Sequence, residues 1–146
     1  MDRRLIVTMA FTGYLVGGAL FAIAQSAAGV TYTESQVEFI VLVGYLGPLL
    51  AMGFVWVKNY GYGAPLLVGT TATTCWFVVY FFFVHDNPAN VGAVTGDGSV
   101  AYTASVAALV AMSLVTALTG TWLWYCESDG FREAVDNAIR PTDARE

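Results

Sequence analysis

Charge is what this sequence has least of. Asp, Glu, Lys and Arg make up 12% of its 146 residues, against about a quarter in soluble globular domains. The few that occur leave four stretches empty of charge: 5–33, 39–57, 59–84 and 98–126. Each reaches the roughly 20 residues that a helix needs to cross about 30 Å of hydrocarbon. This excludes a soluble domain of any size and predicts an all-α, four-helix transmembrane bundle, a single membrane domain with spans near 5–28, 36–57, 66–85 and 100–125.

Other scarcities exclude chemistry. There is one histidine, His85, so a haem held by His on both sides is ruled out. The two cysteines, Cys75 and Cys126, differ in depth by roughly half a bilayer, on the order of 15 Å, too far for a disulfide; no CxxC pair exists for redox exchange. No span interior carries Asp, Glu, Lys, Arg or His. Ion-coupled transport needs a group that changes charge at membrane depth, so the membrane glutamate of small multidrug transporters and the retinal lysine of rhodopsins both lack a counterpart. Asn87-Pro88-Ala89 has the letters of the aquaporin tripeptide, but it occurs once, beside Asp86, in a four-span chain. An acidic chain with net charge −5 has no electrostatic reason to bind nucleic acid. No catalytic set, cofactor or metal is expected; His85 with Asp86, Glu34 or Glu38 would make only a weak metal site.

The charges that remain are sorted. Threading the spans alternately puts Arg3, Arg4, Lys58, Arg132, Arg140 and Arg145 on one side, and Glu34, Glu38, Asp86 and Asp97 in the loops of the other. The positive-inside rule then predicts both termini in the cytoplasm of a multi-pass cell-membrane protein. Asp2-Arg3-Arg4 and an apolar run ending in Ala22-Ile23-Ala24 imitate a secretory signal, but the run is longer than a 7–15-residue signal core, and a retained first span is expected.

Local signals complete the plan. Thr33-Glu34-Ser35-Gln36 and the overlapping Ser35-Gln36-Val37-Glu38 both fit a capping box at the start of the second helix. Gly44, Gly47 and Pro48 predict a kink in mid-span. Lys58 to Pro65 reads as a helix-breaking inner turn. In the outer loop, 86–99, Asn87 and Pro88 predict a short surface helix running to about Val94, and Ser99 a cap for the fourth helix. In the tail, 127–146, Phe131, Ala134, Val135, Ala138 and Ile139 are spaced as one face of a short cytoplasmic amphipathic helix between Asp129 and Pro141.

Small residues mark packing faces. Gly13, Gly17 and Gly18 in the first span, Gly44 and Gly47 in the second and Gly120 in the fourth, the last beside Leu109, Ser113 and Thr116, allow close helix approach, either within the chain or to a second copy. On the outer face His85, Asp86, Asn87, Asn90, Glu34 and Glu38 form the candidate recognition cluster. There, His85 would titrate near neutral pH as a sensor.

Over its whole length the composition, acidic, with one lysine and much Ala, Val, Thr, Gly and Asp, resembles that of small four-span membrane proteins of haloarchaea. Some of these are encoded near terminal oxidase genes, and the resemblance implies a place beside a larger complex. The function expected is that of a non-catalytic accessory or assembly subunit, with the lipid bilayer and other membrane subunits, or itself, as partners. The alternative is a small-solute channel or carrier through a cavity at Pro48 lined by Thr73, Thr74, Thr116 and Thr119.

Overall fold

The computed structural model describes residues 2–140. Arg145 and the Pro141 stop lie outside the described residues. Four helices are long and apolar enough to cross a membrane: α1 (Arg3–Ala27), α2 (Glu34–Trp56), α3 (Tyr60–Val84) and α4 (Ser99–Glu127). A shorter helix, α5 (Asp129–Ile139), follows. Among the described residues there is no strand.

Each helix start has a local cause. The Asp2 side chain caps α1 by accepting from the Arg4 N–H, and the Arg4 side chain and backbone bonds hold the Asp2 carboxyl below its usual pKa. At α2 the capping box is that of Thr33 and Gln36, with both reciprocal bonds made. Between them Gly29 takes a left-handed φ of 70°, which ends α1 at little steric cost. One cap differs from expectation. Gly98, with no side-chain bond, precedes α4, and Ser99 is already helical. Ser128 caps α5 by accepting from the Phe131 N–H.

The inner turn is tighter than a Gly- and Pro-rich run suggests. Trp56 ends α2 and Tyr60 begins α3, so Pro65 lies inside a helix it was expected to precede. Its missing N–H orphans only the carbonyl of Gly61, an exposed residue in the first turn. Lys58 N–H bonds to Val55 O and Asn59 N–H to Phe54 O, closing a Schellman motif. Lys58 pays for that closure with a left-handed φ of 63°. Gly63 permits the hairpin: a Cβ there would stand 2.8 Å from the Val55 nitrogen.

The helices pack in the order α2, α3, α4, α1, with the closest pairing between α3 and α4; α1 and α2 meet chiefly through side chains. Burial against a neighbouring helix gains little over burial in lipid, so close packing and hydrogen bonds have to supply the association. The small-residue faces do this within the chain. Gly13 and Gly17 face Met112 of α4, and Gly120 faces Leu67 and Val68 of α3. Thr116 Oγ1 donates to Met112 O in its own helix and, at 3.2 Å, to Ala10 O of α1. In the outer half Phe21, Phe77, Phe81, Phe82 and Tyr102 form one aromatic cluster joining α1, α3 and α4, with ring pairs 5.0–6.4 Å apart.

Replacing Lys58 by Gly relieves a left-handed side chain that costs roughly 1–2 kcal/mol, less the backbone entropy that Gly adds to the unfolded chain. Lys58→Gly is expected to raise the thermal melting midpoint in detergent, and Lys58→Val to lower it. Equal midpoints for all three would show that the turn is unstrained.

Candidate functional site

Pro48 sets the geometry of the bundle's middle. It has no N–H to give to the carbonyl four residues back, that of Gly44. Around this gap the helix widens: residues Ile40–Leu46 are π-helical, and the Gly47 N–H reaches Leu42 O. Pro48 itself is buried at the start of the α-helical remainder. The Gly44 carbonyl is taken by the hydroxyl of Tyr14, which crosses from α1. In hydrocarbon an unpaired carbonyl is costly, so this bond both repairs the defect and joins two neighbouring helices whose backbones make little direct contact.

The next residue repeats the contact. Tyr45 extends its hydroxyl to Gly18, where an added Cβ would come within 2.5 Å of it; only glycine leaves room for that ring. Gly47 plays the same part on the other side, against Thr70 of α3. A second π-helical turn, Tyr80–Val84, ends α3, with the His85 N–H bonded to Tyr80 O. Between the two π-helical turns lies a cavity of about 30 Å³. Its apolar wall is Phe21, Ile40, Phe77, Val78, Phe82 and Leu109, and its polar atoms come from Tyr14, Tyr45 and Thr74. Tyr14 and Thr74 already donate to the carbonyls of Gly44 and Thr70. A cavity was expected at the Pro48 kink; the one found lies a turn away, beside Gly44 and Tyr45, and of the four threonines expected to line it only Thr74 does.

The threonines assigned to a transport path do not share a lumen. Thr73 is exposed on the outside of the bundle. Thr74, Thr116 and Thr119 each donate to a carbonyl of their own helix, as helix-buried hydroxyls commonly do.

In the loop between α3 and α4 the polar residues divide by role. The Asn87 amide donates to Phe81 O and His85 O, and its Oδ1 accepts from the Ala89 N–H. Asn90 donates to His85 O and accepts from the Gly92 N–H. With the Val91 N–H on Phe82 O and the Tyr102 hydroxyl on Ala89 O, these bonds fold 85–98 into successive turns. The expected surface helix from Pro88 is absent because Asn90 draws off the Gly92 N–H that its next turn would use. His85, Asp86, Glu34 and Glu38 are exposed, and the imidazole stacks on Tyr80 at 5.7 Å. No three His, Cys, Asp or Glu side chains converge as a metal site among the described residues, nor does His85 make an ion pair there with either glutamate. Inward from this loop, burial pushes the Tyr32 phenol pKa up, and its hydroxyl has no partner among the described residues.

The opposite end is built from cations and aromatic rings. Arg3 pairs with Glu127 at 2.7 Å, tying α1 to the end of α4. Arg4 lies over the Trp56 ring, 5.1 Å from its centre, tying α1 to α2. Below them α5 is held by four contacts. Phe131 stacks flat on Trp124 at 4.1 Å. Arg132 donates to the carbonyls of Tyr125 and Cys126, and the Tyr125 hydroxyl donates to Asp136. The half-buried Phe131 and Val135 are thereby turned towards the bundle, while Ala134, Ala138 and Ile139 are exposed.

The Tyr14 bond is testable by a double-mutant cycle. Tyr14→Phe leaves a buried carbonyl unpaired and is expected to cost about 1–3 kcal/mol. Pro48→Ala restores an N–H in that turn, so Tyr14→Phe made in that background should cost clearly less. Additive effects in detergent unfolding would disconnect Tyr14 from the proline defect.

The chain therefore stands on its own geometry: no family model matches it, and neither does any curated protein or solved structure.

Proposed function

We propose that this protein is a non-catalytic accessory or assembly subunit of a larger complex in the cell membrane, with both termini and α5 in the cytoplasm. The observation that carries the reading is the way α5 is fixed. A short helix outside a bundle frays readily, yet here one arginine closes two carbonyls at the end of α4 and a stacked ring pair clamps the first turn. Fixing a helix costs conformational entropy, and its result is a defined display of Glu133, Asn137 and the 72%-exposed Ile139 on the open side. Such a display suits docking to a partner subunit. The interior supports the same reading, since the span threonines of the proposed transport path return to their own carbonyls and the internal cavity is small.

Sidedness follows from charge. Arg3, Arg4, Lys58 and Arg132 gather at the α5 end, and Glu34, Glu38, Asp86 and Asp97 at the other, an asymmetry that the positive-inside rule orients. In a Cys126→Ser background, Asp86→Cys is expected to react with a membrane-impermeant maleimide in intact cells and Lys58→Cys only after lysis; the reverse order would invert the topology.

Purification of the full chain in mild detergent is expected to retain a membrane protein at fixed stoichiometry. Ile139→Asp, and Arg132→Ala, which frees α5, should release that partner while leaving the helical content of the bundle unchanged. Recovery of the chain alone, or a partner indifferent to both substitutions, would sink the proposal.

A further inference from the structure

The cavity between the π-helical turns has a composition that selects its occupant. Its volume, about 30 Å³, is some two to three times the roughly 10–15 Å³ that one water-sized sphere occupies. That is room for a molecule of about two heavy atoms and too little for a ring or a sugar. Water is poorly served there. A buried water needs two to four polar partners, whereas the protons of Tyr14 and Thr74 are committed to carbonyls, which leaves the Tyr45 hydroxyl as the one other polar group in a wall otherwise aromatic and aliphatic. Apolar cavities of this kind stay dry and take up xenon or small hydrocarbons.

Three features make it a built site and not a packing fault. α2 and α3 both depart from α-helical geometry, through Ile40–Leu46 beside the cavity and Tyr80–Val84 at its loop end; π-helical turns are rare and frequently sit at functional positions. The α1 side is closed by side chains, Tyr14 and Phe21 of α1 and Tyr45 of α2, because the α1 and α2 backbones make little direct contact. An apolar molecule dissolved in the bilayer thus has a lateral route that needs one ring to swing, with no polar barrier to cross. The α3 wall is buried, Val78 and Phe82 being 3% and 1% exposed.

We infer that this cavity is a binding site for a small, uncharged, apolar solute of the size of a dissolved diatomic gas, entering from the bilayer between α1 and α2 past Tyr45. The inference is independent of the docking role of α5.

Xenon is the probe. The full chain, methyl-labelled at Ile, Leu and Val in lipid nanodiscs, is followed by NMR under rising xenon pressure. The methyls of Ile40, Val78 and Leu109 are expected to shift along a saturating curve, while those of the lipid-facing Ile23, Val84 and Leu118 drift in proportion to pressure. Val78→Phe fills the space and should abolish the saturating response; Phe82→Leu enlarges it and should move half-saturation to lower pressure. A cavity that holds ordered water would show water cross-peaks to Val78 and no saturating xenon shift, which overturns the inference. So would a Val78→Phe protein that responds like the wild type. If Val78→Phe fails to fold, as judged by circular dichroism, the wild-type curve and the Phe82→Leu shift decide alone, and the absence of either refutes the site.

Discussion

Inside a bilayer there is no water to take an unpaired carbonyl, and that constraint organises the middle of this protein. Proline at position 48 removes one N–H from the ladder of α2. A soluble helix would let solvent fill the gap; here the hydroxyl of Tyr14 does so from the neighbouring helix. The widened turn around the gap brings two consecutive residues, Gly44 and Tyr45, into contact with α1. It also spaces α1 and α2 so that they touch through tyrosines instead of backbone. The apolar cavity is the geometrical remainder of that spacing. A local chemical defect, its repair and the empty space beside it are thus one feature.

Much of this was legible in the chain, and for a clear reason. Helix number, span positions and the Thr33 capping box follow from charge gaps and short-range pairing, which do not depend on what lies across the bundle. The seam residues Gly13, Gly17 and Gly120 were also identifiable, because small side chains in membrane helices mark close approach; that they close on Met112, Leu67 and Val68 of the same chain is tertiary information. The π-helical turns were not legible. Their signature is a choice between bonding to the fourth or the fifth carbonyl back, decided by packing, and Tyr80 to Val84 contains no residue that forces it. Pro65 misled in the opposite direction, since its cost depends on where the orphaned carbonyl lies, and an exposed first turn makes it small.

The outer loop shows how polar residues near a histidine divide between scaffold and surface. Asn87 and Asn90 were grouped with His85 and Asp86 as recognition residues. Their amides instead close backbone groups at Phe81, His85, Ala89 and Gly92, which replaces the helix that Pro88 alone would begin. What is left to face outward is His85 on its Tyr80 ring, with the exposed Asp86, Glu34 and Glu38. An Asn in a turn of this kind has both halves of its amide used, so it has little left to offer a ligand.

The two ends of the bundle differ in how strongly they tie α1 and α2 together. At the α5 end Arg4 reaches both the ring and the carbonyl of Trp56, and Arg3 holds Glu127, so α1, α2 and α4 are stapled. Halfway along, the same pair of helices is joined by the Tyr14 bond and by the Tyr45 ring against Gly18. Separation of α1 from α2 would therefore begin in the middle or outer half, where only side chains must move, and would be resisted at the end where α5 docks. The contacts that hold α5 lie at the end of α4, while the α1–α2 seam beside the cavity is joined chiefly by side chains. The fold thus keeps α5 and this seam on different structural supports, and a change at one need not disturb the other.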